Sequence, residues 1–106
     1  MSEIEKGTGN VYEDLGRADA EEMRVKAQLA MKIGTIIKEK KLTQMEAAKL
    51  LGMTQPKLSN LLHGRFRGIS ETKMLECLTR LGRDVQIVVK PARRARKTGQ
   101  VSVVFT

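Results

Sequence analysis

Residues 43–64 read TQMEAAKLLGMTQPKLSNLLHG, and this stretch decides the fold. Thr43 followed by Glu46 is a capping box, which satisfies two orphan amides where a helix starts. The helix runs from Gln44 through Leu51, and Gly52, able to take positive φ, ends it. Thr54 caps a second helix, Gln55 to His63, and Gly64 ends that one. Pro56 falls in its first turn, where a missing amide hydrogen has no intrahelical partner anyway. Leu51, Met53, Leu58 and Leu61 are spaced to bury themselves between the two helices and the rest of a bundle. Ala48 is small where the helices must approach. The positions left over on the second helix are Gln55, Lys57, Ser59, Asn60 and His63, which suit base edges and phosphates. An ordinary helical hairpin with a solvated polar face shares this outline. Gln44, Ala48, Gly52 and Gln55 together favour a helix-turn-helix, whose second helix enters the DNA major groove.

Upstream, Asp19 with Glu22 three residues on reads as a helix N-cap. Met23, Ala27, Ala30, Ile33 and Ile37, with Leu29 and Ile36 beside them, then follow at helical spacing. Gly34 interrupts that helix at a cost of about 1 kcal/mol relative to Ala, and close approach of another helix would account for it. Downstream, Ser70 caps a fourth helix with Met74, Leu75, Leu78 and Leu81, ending at Gly82. The period then changes to two. Val85, Ile87 and Val89 read as one strand, stopped by Pro91, and Val101, Val103 and Phe105 as another. The expected organisation is an acidic arm over 1–18, a helical domain over 19–82 and a C-terminal β-ribbon over 83–106 with a basic loop at 91–99.

The 106 residues suit one small domain, and a formal charge of +8 hides an asymmetry. Residues 1–23 carry a net −5, and residues 24–106 carry +13. A basic domain of this size suits a polyanion, because each neutralised phosphate releases counterions. Aromatics make up only 3%, which argues against a fold that stacks bases on aromatic rings. One cysteine, Cys77, excludes a disulfide framework or a cysteine-based zinc site, and its apolar neighbours suggest a buried structural thiol. With one histidine, no paired-carboxylate motif, no glycine-rich phosphate loop and no metal-ligand spacing, neither an enzyme, a metal nor a cofactor is expected. No apolar run approaches a membrane span, and the N-terminus lacks the regions of a signal peptide. A cytoplasmic location is expected.

Residues 43–64 resemble the helix-turn-helix of the phage-repressor-like XRE family. With NVYEDLGRADAEEMRVKAQLA (10–30) and ISETKMLECLTRLGRDVQIVV (69–89), the chain is similar to the HigA-type antitoxins over about residues 10–90. The resemblance implies a mostly α fold: a compact four- to five-helix, lambda-repressor-like DNA-binding domain with a C-terminal β-strand or hairpin extension. It implies that Gln55 contacts a base edge and that Gln44 touches a phosphate and braces Gln55. Asn60 falls on the groove-facing side as a second base reader. Thr54, Lys57, Ser59, His63 and Arg65 are phosphate candidates, although His63 also reads as a plain helix-end residue. Pro56 departs from the family, since repressors often place a second polar base reader there.

The implied function is a sequence-specific transcriptional regulator that represses its own operon and neutralises a ribonuclease toxin of HigB/RelE type. Its partners would be double-stranded operator DNA, a second copy in a homodimer, and that toxin, with no membrane. Tyr12, Glu13, Asp14, Leu15, Glu21 and Glu22 are candidate toxin contacts, as apolar anchors set among acids that a basic ribonuclease attracts. The alternative is a stand-alone phage- or accessory-gene-type XRE repressor without a toxin. The C-terminal ribbon suits either dimerisation or toxin binding.

Overall fold

The structure, a computed structural model, describes residues 9–93 and 98–106, with side chains from residue 19 onward. Among the described residues there are four helices: α1 (Gly9–Glu39), α2 (Gln44–Leu51), α3 (Gln55–Leu62) and α4 (Glu71–Arg80). Helix α1 packs on α3 and α4, and α2 packs on the same two. None of the described helices is long and apolar enough to cross a membrane.

The three short helices start where local chemistry dictates. Thr43 accepts from the Glu46 amide at 3.1 Å while the Thr43 amide donates to Glu46 Oε1 at 2.8 Å, completing the capping box. Thr54 and Ser70 accept from the Lys57 and Lys73 amides. Gly52 and Gly64, at φ 67 and 82, take the left-handed turns that follow α2 and α3. The core joins Leu29, Ile33 and Ile36 of α1 to Leu51, Leu58, Leu61, Met74, Cys77 and Leu81. Met23 is only partly buried and Ala27 is exposed, while Val25 takes the inward position that the periodicity had not singled out. Leu62 of α3 sits over Gly34, and a Cβ built there would meet its Cδ2 at 3.4 Å. The helices do approach at Gly34, with room for one methyl group.

Two expectations are corrected. Helix α1 does not begin at Asp19 but runs through it from Gly9, so the backbone shows no boundary at 18/19. The Asp-x-x-Glu pattern is also an ordinary i,i+3 pair on a helix face, and here the carboxylates have distant or downstream partners. Asp19 pairs with Arg67 at 2.9 Å, and Glu22 pairs with Lys26 at 3.1 Å. Residues 1–8 of the expected arm lie outside the described residues.

The C-terminal β-ribbon is the second. Among the described residues of 83–106 there is no strand, and Arg94, Arg96 and Lys97 of the basic loop lie outside them. The segment 101–105 uses α1 as its partner instead. The Val101 amide donates to Glu21 Oε2 at 2.8 Å, and Arg24 Nη2 donates to the Val101 carbonyl at 3.3 Å. Val103 packs against the core, and Lys32 Nζ lies 5.3 Å from the Phe105 ring centroid. Of the alternating residues only Val103 is partly buried, while Val101 and Phe105 stay exposed. Alternation carries no information about whether a strand or a helix takes up the segment.

Candidate nucleic-acid interface

Helices α2 and α3 bury Ala47, Ala48, Leu51, Leu58 and Leu61, which fixes the face each turns outward. Gln44 is the first residue of α2 and Gln55 the first of α3, and both are exposed. Lys49, Lys57 and Arg65 are exposed on the same pair of helices and the turn after them, with Glu46 the only acid from 43 to 65. The outer surface is therefore cationic, as phosphate contact requires, and α2 adds exposed Met45 and Leu50 to it.

The start of α3 is less open to an anion than its position suggests. Pro56 has no amide hydrogen, the Lys57 amide donates to Thr54 Oγ1 at 3.2 Å, and the Leu58 amide donates to the Thr54 carbonyl at 3.0 Å. Thr54 thus uses its oxygens as acceptors within its own helix, while its exposed hydroxyl keeps an O–H to donate. Of the first amides, that of Gln55 is left for an outside acceptor.

Asn60 and Arg65 form a unit. Arg65 Nε donates to Asn60 Oδ1 at 3.1 Å, and the Arg65 amide donates to the Asn60 carbonyl at 2.8 Å. Guanidinium Nε is a donor only, so the carboxamide oxygen must face it and the NH2 group must face elsewhere. Ser59 is half-buried. The Ser59 carbonyl accepts from His63 Nδ1 at 2.7 Å, and Ser59 Oγ lies 3.4 Å from that nitrogen. The short contact to a carbonyl puts the proton on Nδ1 and turns the ring back over its own helix. His63 is the C-cap of α3 and is exposed, with Nε2 turned away from that carbonyl.

Two anchors escaped the sequence reading. Lys73 Nζ and Arg80 Nη1 of α4 donate to the carbonyls of Leu51 and Leu50, at 3.2 and 3.3 Å. They cap the C-terminal end of α2, where cations are favoured, and Glu76 holds both through ion pairs of 3.8 and 3.0 Å. Arg80 also lies over the turn, since a Cβ at Gly52 would stand 3.0 Å from its Nη1. The i,i+3 and i,i+4 spacing of Lys73, Glu76 and Arg80 was the available signal. The other anchor is Lys26, 3% exposed, whose Nζ donates to the Arg67 carbonyl at 3.0 Å. That bond ties α1 to the loop after α3.

Of the candidate toxin contacts, Glu22 is engaged by Lys26, and Glu21 by the Val101 amide and by Arg24 at 3.6 Å. Tyr12, Glu13, Asp14 and Leu15 lie on the first turns of α1, and their side chains are outside the described residues. Among the described residues no cluster of His, Cys, Asp or Glu could hold a metal ion.

A family model described as a helix-turn-helix domain matches residues 11–90 of the chain. Among solved structures, a chain described as an XRE family transcriptional regulator is similar, with 36% sequence identity and a TM-score of 0.77. The likeness covers 83% of this chain and 99% of that one. No curated protein sequence matches.

Proposed function

The chain belongs to the XRE-type helix-turn-helix family, and from that membership we propose that it is a DNA-binding transcriptional regulator reading its operator through α3. The observation that carries this reading is the pairing of two exposed glutamines at the starts of α2 and α3 on a cationic surface. Gln55 is the proposed base reader, its amide group matching adenine N6 and N7. Gln44 braces it and reaches a phosphate. Asn60 is the second reader, and Lys57 and Arg65 supply positive charge towards the backbone.

Fluorescence anisotropy tests this with a duplex taken from upstream of the chain's own gene and a scrambled duplex of equal length. Gln55→Ala should cost about 1–3 kcal/mol of operator affinity while leaving thermal stability unchanged, because the side chain is exposed and packs on nothing in the core. Equal affinity for the two duplexes in the unmodified chain would refute the reading.

The finer part of the proposal is an antitoxin that acts as a homodimer, represses its own operon from the cytoplasm and neutralises a HigB/RelE-type ribonuclease. Its support is the likeness of residues 10–30 to HigA-type antitoxins and the acidic charge of residues 1–23. Glu21 is tied to the Val101 amide, whereas Glu22 stays exposed beside Lys26, so Tyr12, Glu13, Asp14, Leu15, Glu21 and Glu22 all remain proposed toxin contacts. Deleting residues 1–8 and replacing Glu13 and Asp14 by lysine should weaken neutralisation of the adjacent-gene toxin and spare operator binding. Full growth rescue by that variant would favour a stand-alone regulator or a different toxin-binding surface.

A further inference from the structure

Residues 84–90, DVQIVVK, present Val85, Ile87, Val88 and Val89 to solvent, with Ile87 77% and Val89 92% exposed. Among the described residues, the backbone of 84–93 makes no hydrogen bond. Three consecutive exposed β-branched residues whose backbone groups have no protein partner among the described residues are a template for another strand. The chain's other alternating stretch cannot serve, because Val101 to Phe105 is bound along α1 by Glu21, Arg24 and Lys32.

The geometry points to residues 84–90 of a second copy of this chain as the occupant, paired antiparallel about a two-fold axis through Ile87. This rests on the homodimeric reading above. The charges of the segment specify the register. In this pairing Asp84 lies opposite the partner's Lys90 at both ends, Val85 lies opposite Val89, and Ile87 meets itself. A parallel, in-register pairing would set aspartate on aspartate and lysine on lysine, which is destabilising. A one-residue antiparallel slip would set Arg83 against Lys90 or move Pro91 into the ladder opposite Asp84, and it would exchange the two faces. The two-fold register is also isologous, as a closed dimer requires.

Sedimentation equilibrium of the full chain across the micromolar range tests this. The unmodified chain should be a dimer. Ile87→Lys places two like charges at the axis and should yield a monomer with an unchanged circular dichroism spectrum, because the side chain is exposed in the single copy. D84K and K90D should each weaken association roughly tenfold, since two cross-strand pairs are lost per dimer. The double variant D84K/K90D should restore it. Under oxidising conditions Ile87→Cys should form a disulfide-linked dimer, while Val89→Cys should not, its two copies lying roughly 14 Å apart in this register.

A monomeric unmodified chain would overturn both this inference and the homodimeric reading. A dimer that persists in Ile87→Lys, or single charge variants not rescued by the double one, would overturn the strand pairing alone.

Discussion

Replacing Arg65 by lysine separates its charge from its hold on Asn60. As a phosphate ligand Arg65 contributes charge, and its loss should weaken operator and random DNA equally. The structure gives it a second task, since Nε holds Asn60 Oδ1 at 3.1 Å and fixes the plane of that carboxamide. Lysine keeps the charge but has no Nε–H in the guanidinium plane to hold it. In Arg65→Lys the Asn60 side chain must therefore be ordered on binding, at a cost of about 0.5–1.5 kcal/mol. That cost falls only on DNA whose bases Asn60 reads. The ratio of operator to random affinity should drop by roughly fivefold, corresponding to about 1 kcal/mol, while the salt dependence stays unchanged. Arg65→Ala should lose the same discrimination and also flatten the log–log salt slope by about 0.9, the amount for one phosphate. In an Asn60→Ala background, Arg65→Lys should have no further effect on the ratio, which is the signature of a coupled pair. Anisotropy titrations of the unmodified chain and these variants at several salt concentrations would measure all of this. An unchanged operator-to-random ratio in Arg65→Lys would refute the positioning role and leave Arg65 a simple cation.

Lys26→Ala should lower the unfolding free energy by about 2–4 kcal/mol, because a charged hydrogen bond to the Arg67 carbonyl and a packed aliphatic stem are lost together. Urea denaturation at constant slope measures it, and an unchanged midpoint would show that the buried ammonium contributes nothing. Gly34→Ala should raise the melting temperature, gaining up to about 1 kcal/mol of helix propensity, since its new methyl group would rest 3.4 Å from Leu62 Cδ2 in ordinary contact. A lower melting temperature would mean that α1 and α3 cannot accommodate it. Burial pushes the Cys77 thiol above its ordinary pKa of 9.0, with Glu76 adding to the rise and Lys73 and Arg80 opposing it. Below that value the thiol is protonated in both folded and unfolded chains and contributes no pH dependence. Above it the unfolded thiol ionises first, so the stability of the unmodified chain should fall relative to Cys77→Ala. A difference between the two that stays constant from pH 8 to 10.5 would contradict this.

The features legible in the sequence are those whose cause lies within a few residues. Thr43 with Glu46, Thr54 and Ser70 start helices because a side-chain oxygen reaches an amide three positions on. Gly52, Gly64 and Gly82 turn the chain because they lack a Cβ. The apolar spacing on α2, α3 and α4 follows from the helical repeat, and with it the outward placement of Gln44, Gln55 and Asn60. The features that only the tertiary structure decided depend on groups far apart in the chain. Asp19 lies inside a helix that starts at Gly9, and the partner its carboxylate finds, Arg67, is 48 positions away. That Lys26 is buried depended on a carbonyl 41 positions away, and the capping of α2 on cations of α4. The alternation of 101–105 suggested a strand, but the segment is joined to α1 instead, through bonds spanning 77 and 80 positions. Local patterns state which face of an element must leave water. The surface that receives that face is set by the packing of the whole chain, where many arrangements bury similar areas and a few directional polar contacts decide among them.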